Sequence, residues 1–271
     1  MEFKRLKTFA AVGAASLLAS CGGGSTLGGT SGTNGTGGGG GSGGSTSNAS
    51  PGGIWRGTDS VSGLQVTGLV DESGNFHFVR GDDVQYIGTA VVSGTSLTAN
   101  FDGIVPVGFL FADGTHHGTG SLAATIQARK TITASTTFKT DAGNSSTGTL
   151  DLTFDGLYNR ASSLTTLSGN FTNATDKAVL TVGTNGALFS QDATTGCVLN
   201  GTASLINATY NLYKVQFDYA SCAGQNSVLN GVQLTGVATL DNTVVPERIV
   251  AAVTGQSGNI TYSVVLQLNR T

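Results

Sequence analysis

The stretch that decides the fold runs from residue 64 to residue 79 and reads LQVTGLVDESGNFHFV. Apolar and polar residues alternate in LQVTGL and again in FHFV, and the polar turn DESGN separates the two runs. Alternation with a period of two places one face of a strand toward a core and the other toward water. The stretch therefore predicts an antiparallel hairpin with one buried face.

The same pattern continues through the rest of the chain. The composition suits it, because 42 of the 271 residues are glycine and only 11% are charged, which favours short strands and many turns. Turn residues recur about every 10–15 positions, as in antiparallel meanders. The sequence therefore predicts an all-β protein. Further alternating runs lie at 86–92, 97–101, 122–126, 132–138 and 150–154.

Comparison of the sequence with itself indicates two tandem copies of about 105 residues each. The copies share turn glycines, short identical motifs and similar apolar strands. The matched segments are 69–76 with 181–188 (Gly74 with Gly186), 88–90 with 201–203, 101–102 with 217–218, 131–134 with 248–251, and the Asn-Arg pairs at 159–160 and 269–270.

The repeat sets the predicted domain organisation. Residues 54–160 form the first β-repeat and residues 161–271 form the second. Each copy holds about eight short strands, and eight antiparallel strands can close into a small barrel without exposed edges. The prediction is two tandem eight-stranded antiparallel barrels, and the alternative is one continuous β-sandwich or barrel.

The start of the chain has the three parts of an export signal. A cationic segment at 4–7 precedes an apolar run at 9–18, and Leu18-Ala19-Ser20-Cys21 follows. These residues resemble the signal peptide and lipobox of bacterial lipoproteins. The resemblance implies that residues 1–20 are removed and that the Cys21 thiol takes a diacylglycerol and further acyl chains such as palmitate. The implied partner is a membrane.

The segment that follows predicts a tether. Half of residues 22–53 are glycine, the segment has no charge and no aromatic residue, and an r.m.s. reach of about 30 Å is expected. Gly22 follows Cys21, which by resemblance to lipoprotein sorting implies the cell outer membrane and leaves a periplasmic or a surface-facing orientation open. The glycine-rich arm also resembles those of surface lipoproteins of the transferrin-binding type.

The first copy opens with a tryptophan motif. Gly53-Ile54-Trp55 begins the first strand, and Arg160 ends the copy. This arrangement resembles that of lipocalins, and the resemblance implies that the tryptophan packs under the arginine. Core filling is the alternative role for Trp55, because the second copy has no tryptophan.

Two cysteines remain after Cys21. An even pair in an exported chain predicts a disulfide between Cys197 and Cys222. The strands next to them flank a turn near 207–211, so pairing as a hairpin brings the two cysteines together at its open end. The first copy has no matching pair, so the disulfide is expected in the second copy alone.

The histidines predict no strong metal site. His77 alternates with Phe76 and Phe78 and is expected to point outward from its strand. Adjacent strand residues face opposite sides, so His116 and His117 do not chelate one ion unless their loop bends, with Asp113 nearby as a further ligand. The sequence predicts no metal and no cofactor.

Catalysis and nucleic-acid binding are not expected. No Gly-x-Ser-x-Gly motif occurs in the body, and the acidic pairs at 71–72 and 82–83 lie in turns where solvated carboxylates are common. Beyond residues 1–20 the cations are scattered singly, apart from Arg129 and Lys130, whereas phosphate neutralisation needs clusters. The chain is predicted not to be an enzyme.

The expected function is a non-catalytic binding or structural role in the bacterial envelope, with a protein, a glycan or a hydrophobic molecule as partner. Three alternatives remain open: a surface module that binds host or environmental protein, a calyx that carries a hydrophobic small molecule, and a periplasmic enzyme or enzyme inhibitor. Large side chains that fill the barrels favour the structural or surface-binding roles, and an open apolar cavity favours the calyx.

Overall fold

Each predicted copy folds into a closed antiparallel barrel of eight strands. The computed structural model describes residues 47–173 and 178–271. The predicted signal peptide (1–20), the lipobox with Cys21, and residues 22–46 of the predicted arm lie outside the described residues.

The first barrel comprises β1 (Gly53–Asp59), β2 (Gln65–Val70), β3 (Asn75–Arg80), β4 (Gln85–Ser93), β5 (Ser96–Ile104), β6 (His117–Gln127), β7 (Thr131–Thr140) and β8 (Ser145–Asp155). The second comprises β9 (Gly169–Thr172), β10 (Val179–Val182), β11 (Ala187–Gln191), β12 (Val198–Leu205), β13 (Tyr213–Ala220), β14 (Gln233–Asp241), β15 (Arg248–Ser257) and β16 (Ile260–Arg270). The short helices are a 3₁₀ turn at Gly156–Asn159, α1 at Leu164–Leu167 and a 3₁₀ helix at Gly224–Leu229.

The two barrels close separately. β1 pairs with both β2 and β8, and β9 pairs with both β10 and β16. The other strands pair with their neighbours in the chain. The predicted pair of eight-stranded barrels is therefore confirmed, and the alternative of one continuous sandwich or barrel is wrong.

The internal repeat is visible in the backbone. Gly74 and Gly186 lie in the turns of equivalent hairpins, and both have a positive φ, of 89° and 85°. Their carbonyls accept matching hydrogen bonds, from Ala90 at 2.9 Å and from Ala203 at 2.7 Å. These contacts place the repeated Gly-Thr-Ala triplets at equivalent points of the two barrels.

The Asn-Arg endings are not equivalent. Asn269 and Arg270 end β16, whereas Asn159 lies in the 3₁₀ turn after β8. The difference arises because β8 stops at Asp155, whose carboxylate accepts the amide of Leu157 and starts that turn. The turn then leads the chain into the second barrel.

Antiparallel pairing sorts the loops of the first barrel into two ends. The chain enters β1 at what we call the floor end, where the turns at 71–74, 94–95 and 128–130 also lie. The opposite end, here called the mouth, carries the loops at 60–64, 81–84, 105–116 and 141–144.

An apolar cluster joins the barrels. Ile54 and Leu69 point out of the first barrel and pack with Leu212 and Val237 of the second. Tyr158, just after β8, stacks on Tyr210 with ring centroids 4.6 Å apart. The barrels therefore share a buried apolar boundary.

A fully buried glutamine, Gln85, also crosses this boundary. Its Nε2 lies 3.1 Å from the carbonyl oxygen of Val253, 2.8 Å from Ser263 Oγ and 3.0 Å from the carbonyl oxygen of Val264. Its Oε1 lies 3.1 Å from His77 Nδ1. An amide of the first barrel thus satisfies acceptors on two strands of the second.

The predicted disulfide is confirmed. Cys197 and Cys222 are bonded just beyond the last pair of the β12–β13 ladder, Val198 with Ala220. The chain turns between these strands at 206–212, around the predicted position. The bridge therefore closes the open end of this hairpin.

Within residues 47–173 and 178–271, none of the short helices has the length and apolarity that a membrane-spanning helix requires.

Candidate functional site

The second barrel is filled by its own side chains. Phe171, Tyr213, Phe217 and Leu234 are buried inside it, and aliphatic residues from β10 to β16 pack around them. The cavity found among its described residues measures about 30 Å³ and lies beside Tyr219. This volume leaves space for water but not for an organic ligand.

The floor end of the first barrel is also closed. Trp55 is completely buried there, its Nε1 donates to the carbonyl oxygen of Pro51 at 3.1 Å, and its ring meets Phe154 edge-on. Ile126 and Leu152 fill the same layer. Trp55 therefore has the core-filling role.

The mouth half of the first barrel is hollow. A cavity of about 520 Å³ begins above the Trp55 layer and opens between the mouth loops. Ligand pockets in proteins are typically about 300–1,000 Å³ in volume. Most of the lining is apolar: Val61, Val66, Phe78, Tyr86, Phe101, Phe111, Ala112, Leu122, Phe138 and Leu150, joined by Asp59, Arg80, Asp113, Thr136, Thr140, Asn144, Ser145 and Ser146.

Glycines in the wall keep this space open. The ring of Phe138 lies over Gly103, where a Cβ would stand 2.8 Å from Phe138 Cζ. The ring of Phe101 lies over Gly120, where a Cβ would stand 2.5 Å from Phe101 Cε2. Because the glycines carry no side chain, both rings lie against the sheet instead of crossing the lumen.

One side of the mouth carries a polar cluster centred on Arg80. The guanidinium makes two bonds to the Asp82 carboxylate, at 2.8 and 2.9 Å, and its Nη1 lies 2.9 Å from Tyr86 Oη and 3.5 Å from Asp59 Oδ2. Burial opposes the charge, but the hydrogen bond and charge of Asp82 outweigh it and raise the pKa of Arg80. The arginine therefore stays cationic.

The hydroxyl of Tyr86 belongs to the same cluster. Burial raises the pKa of Tyr86 to about 12, despite the opposing effect of Arg80. The phenol is therefore protonated at neutral pH and carries a hydrogen that it can donate.

The longest mouth loop, residues 105–116, is fixed on one side by the first barrel. Asp113 accepts hydrogen bonds from Thr140 Oγ1, from Asn144 Nδ2 at 2.9 Å and from Thr115 Oγ1 at 2.7 Å. These bonds hold the pKa of Asp113 well below its usual range. The ring of Phe111 enters the cavity, 5.4 Å from that of Phe138.

The second barrel supports the other side of this loop. Val107 packs against the core of the second barrel, and the side chain of Gln225 lies beside Gly108. The loop is thus anchored on both sides of the cavity opening.

The structure separates the histidines that the sequence singled out. His77 points out of its strand as predicted, but the second barrel partly covers it, and burial lowers its pKa despite its hydrogen bond to Gln85. His117 lies 3.0 Å from Asp141 and 3.4 Å from Asp102 on the outer wall. Asp113 faces Thr140 and Asn144 instead.

The acidic pairs have structural contacts. Asp71 accepts backbone amides within its own turn, and Glu72 accepts the hydroxyl of Tyr158 at 2.9 Å. Asp82 binds Arg80, and Asp83 accepts from Gln267 of the second barrel at 3.2 Å. In the part of the chain that the structure describes, no three His, Cys, Asp or Glu side chains converge to hold a metal ion.

The predicted packing of Trp55 under Arg160 is wrong. Arg160 donates to Asn242 of the second barrel, because the 3₁₀ turn carries it away from β1. A similar arrangement occurs in the second barrel, where the Arg270 guanidinium lies 4.7 Å from the centre of the Phe171 ring.

Sequence reasoning did not single out the cavity residues Asp59, Arg80, Tyr86 and Phe111. The strand register could have indicated the cavity. Strand pairing places Phe101 between Gly88 and Gly120. This pairing of aromatic and glycine residues marks a wall that side chains do not fill.

No protein-family model matches the chain, and no curated protein is similar enough to it to count as a relative. The geometry and chemistry of the cavity therefore carry the functional argument.

Proposed function

We propose that this chain is a lipid-anchored protein of the bacterial envelope whose first barrel binds a small, mostly apolar molecule without reacting with it. The unequal filling of the two barrels carries this proposal. The first has a cavity of about 520 Å³, whereas the cavity in the second is about 30 Å³. The difference favours a calyx over a purely structural repeat.

The lining supports an apolar ligand. Phe78, Leu122 and Leu150 form the layer below the mouth, and the rings of Phe101 and Phe138 form the wall. Apolar surface in water is unfavourable at about 25 cal/mol per Å², so a ligand that covers these side chains gains binding energy. The polar groups at the mouth would orient such a ligand.

The anchor part of the proposal depends on the amino-terminal sequence. The lipobox that ends at Cys21 supports lipidation, and the glycine-rich arm supports a flexible tether. The chain enters β1 at the floor end of the first barrel, and the cavity opens at the opposite end.

Filling the calyx should abolish binding of an apolar probe. N-phenyl-1-naphthylamine is neutral and fluoresces brightly in apolar surroundings, and we expect it to bind the full chain carrying Cys21→Ser. Thr136 lines the cavity, so Thr136→Phe places a ring in the lumen and should weaken probe binding about 10-fold or more. Fluorescence titration without detergent measures this affinity.

Thr133→Phe is the matched control, because Thr133 is exposed on the outer face of the same strand. It should bind the probe as the parent chain does. Equal affinity of both variants, or no probe binding by the parent chain, would overturn the calyx proposal. Trp55 emission shows whether the first barrel is folded in each variant.

Lipidation is tested separately in cells. The full chain should incorporate radiolabelled palmitate, and Cys21→Ser should lose at least about nine-tenths of the label, because the thiol is the acceptor atom. Labelling that survives Cys21→Ser would contradict the anchor proposal. Protease digestion of intact and permeabilised cells then distinguishes a surface-facing from a periplasmic orientation.

A further inference from the structure

The Tyr86 hydroxyl has one unused hydrogen-bonding function. It accepts from Arg80 Nη1 at 2.9 Å, and it donates to no acceptor among the residues that the structure describes. Tyr86 lines the cavity, so the hydrogen of this hydroxyl is available to a molecule inside. Because a guanidinium donates to its oxygen, the hydroxyl is polarised and becomes a stronger donor.

The charges around the cavity disfavour an anion. Asp59, Asp113 and Arg80 are the charged residues of the described lining, so carboxylates outnumber cations there. The Arg80 guanidinium is also engaged by two bonds to Asp82. An anionic head group would have to displace Asp82 and approach the other two carboxylates.

From these contacts we infer that the calyx selects neutral, mostly apolar molecules that carry a carbonyl or ether oxygen, with that oxygen accepting from Tyr86 at the mouth. This inference rests on the proposed function of the first barrel and narrows its ligand class. Fatty acids and other amphipathic anions are excluded from the class by the carboxylates.

The layering of the cavity sets the orientation of the ligand. Tyr86 and Arg80 lie near the mouth, at the β3–β4 loop, and pairing puts Tyr86 directly opposite Phe78. Leu122 and Leu150 lie deeper on the opposite strands. The apolar body of the ligand therefore points to the floor, and the acceptor oxygen stays at the mouth.

A ketone probe tests the contact with Tyr86. The probe 6-propionyl-2-dimethylaminonaphthalene has a carbonyl, and its emission moves to longer wavelength when that carbonyl accepts a hydrogen bond. Tyr86→Phe should weaken its binding roughly 5- to 10-fold and shift the bound emission to shorter wavelength. The same variant should weaken the binding of N-phenyl-1-naphthylamine, which has no carbonyl, by less than about 2-fold, so the ratio of the two affinities reports the contact with the carbonyl.

Tyr262→Phe is the matched control. It makes the same chemical change on β16 of the second barrel and should leave both the affinity and the emission unchanged. An unchanged ketone affinity and emission in Tyr86→Phe would overturn the inference.

Charge selection is tested with a matched probe pair. The probe 1-anilinonaphthalene-8-sulfonate has the same ring skeleton as N-phenyl-1-naphthylamine and adds one negative charge. It should bind at least about 10-fold more weakly at low salt, because the cavity carries excess negative charge. Equal or tighter binding of the sulfonate would overturn the neutral-ligand class.

The two proposals fail in different ways. Failure of N-phenyl-1-naphthylamine to bind, or no effect of Thr136→Phe, overturns the calyx itself. Normal binding of that probe, together with no response of the ketone probe to Tyr86→Phe, leaves the calyx standing and overturns only the ligand class.

Discussion

Gln85→Glu should destabilise the protein by about 3–5 kcal/mol at neutral pH, because it leaves a charge buried without a cationic partner. The Nε2 atom that it replaces faces the carbonyl oxygens of Val253 and Val264 as well as Ser263 Oγ. A carboxylate oxygen at this point has no proton to donate and repels both carbonyls. Urea unfolding followed by Trp55 fluorescence measures the change.

The loss of stability in Gln85→Glu should depend on pH. A carboxyl group titrates at about pH 4.3 in the unfolded chain, and burial holds its pKa higher in the folded one. Between these values the folded state binds more protons, so the variant gains stability relative to the parent as the pH falls from 7 towards 5. His77 lies 3.1 Å from the Gln85 side chain in the parent. Protonation of His77 beside the new carboxylate should add to the gain in the variant, whereas in the parent the lowered pKa of His77 costs stability in acid.

Gln65→Glu is the control for this variant. Gln65 lies on β2 of the same barrel and is exposed, so the same change should shift stability by less than about 0.5 kcal/mol. A loss for Gln85→Glu no larger than that of Gln65→Glu would show that the boundary between the barrels is not buried in solution.

The alternation of side chains was sufficient to predict the architecture. The hairpin at 64–79 forms β2 and β3 with the turn at Gly74, and the second copy repeats it at Gly186. Each alternating run became a strand because one face had to be covered, and closure removed the free edges. The disulfide could also be predicted from strand pairing, because the hairpin brings Cys197 and Cys222 within bonding distance.

The cavity could not be predicted in the same way. Its volume depends on which glycines face which rings, and a shift of register by one residue would turn Phe101 and Phe138 outward. The sequence shows Gln85 only as a polar residue at the start of a strand. Its burial could not be predicted, because its hydrogen-bond partners lie 168 to 179 positions away. Periodicity defines the faces of a strand, whereas distant packing decides what covers them.

Removal of the disulfide should cost about 3 kcal/mol, because the bridge links residues 25 apart and restricts the unfolded chain. In the folded chain it also fixes the loop that closes the second barrel. Cys222 exchanges two hydrogen bonds with the side chain of Asn230, and Leu229 of this loop is buried in the barrel core. Replacing Cys197 and Cys222 together with alanine avoids burying new hydroxyl groups.

The fluorescence of the single tryptophan shows whether removal of the disulfide also destabilises the first barrel. Trp55 lies at the floor of the first barrel, while the bridge lies in the second. Because Gln85 and the Ile54–Leu212 cluster join the barrels, we expect one cooperative transition. The urea midpoint reported by Trp55 should therefore fall by about 1 M, in step with far-ultraviolet circular dichroism.

Reduction provides the matched control for the alanine pair. Dithiothreitol should lower the midpoint of the Cys21→Ser chain to that of the double variant, and it should leave the double variant unchanged. Should the Trp55 transition stay in place while circular dichroism resolves an earlier step, the barrels unfold independently. The contacts of Val107 and Gln225 would then be insufficient to couple the calyx loop to the stability of the second barrel.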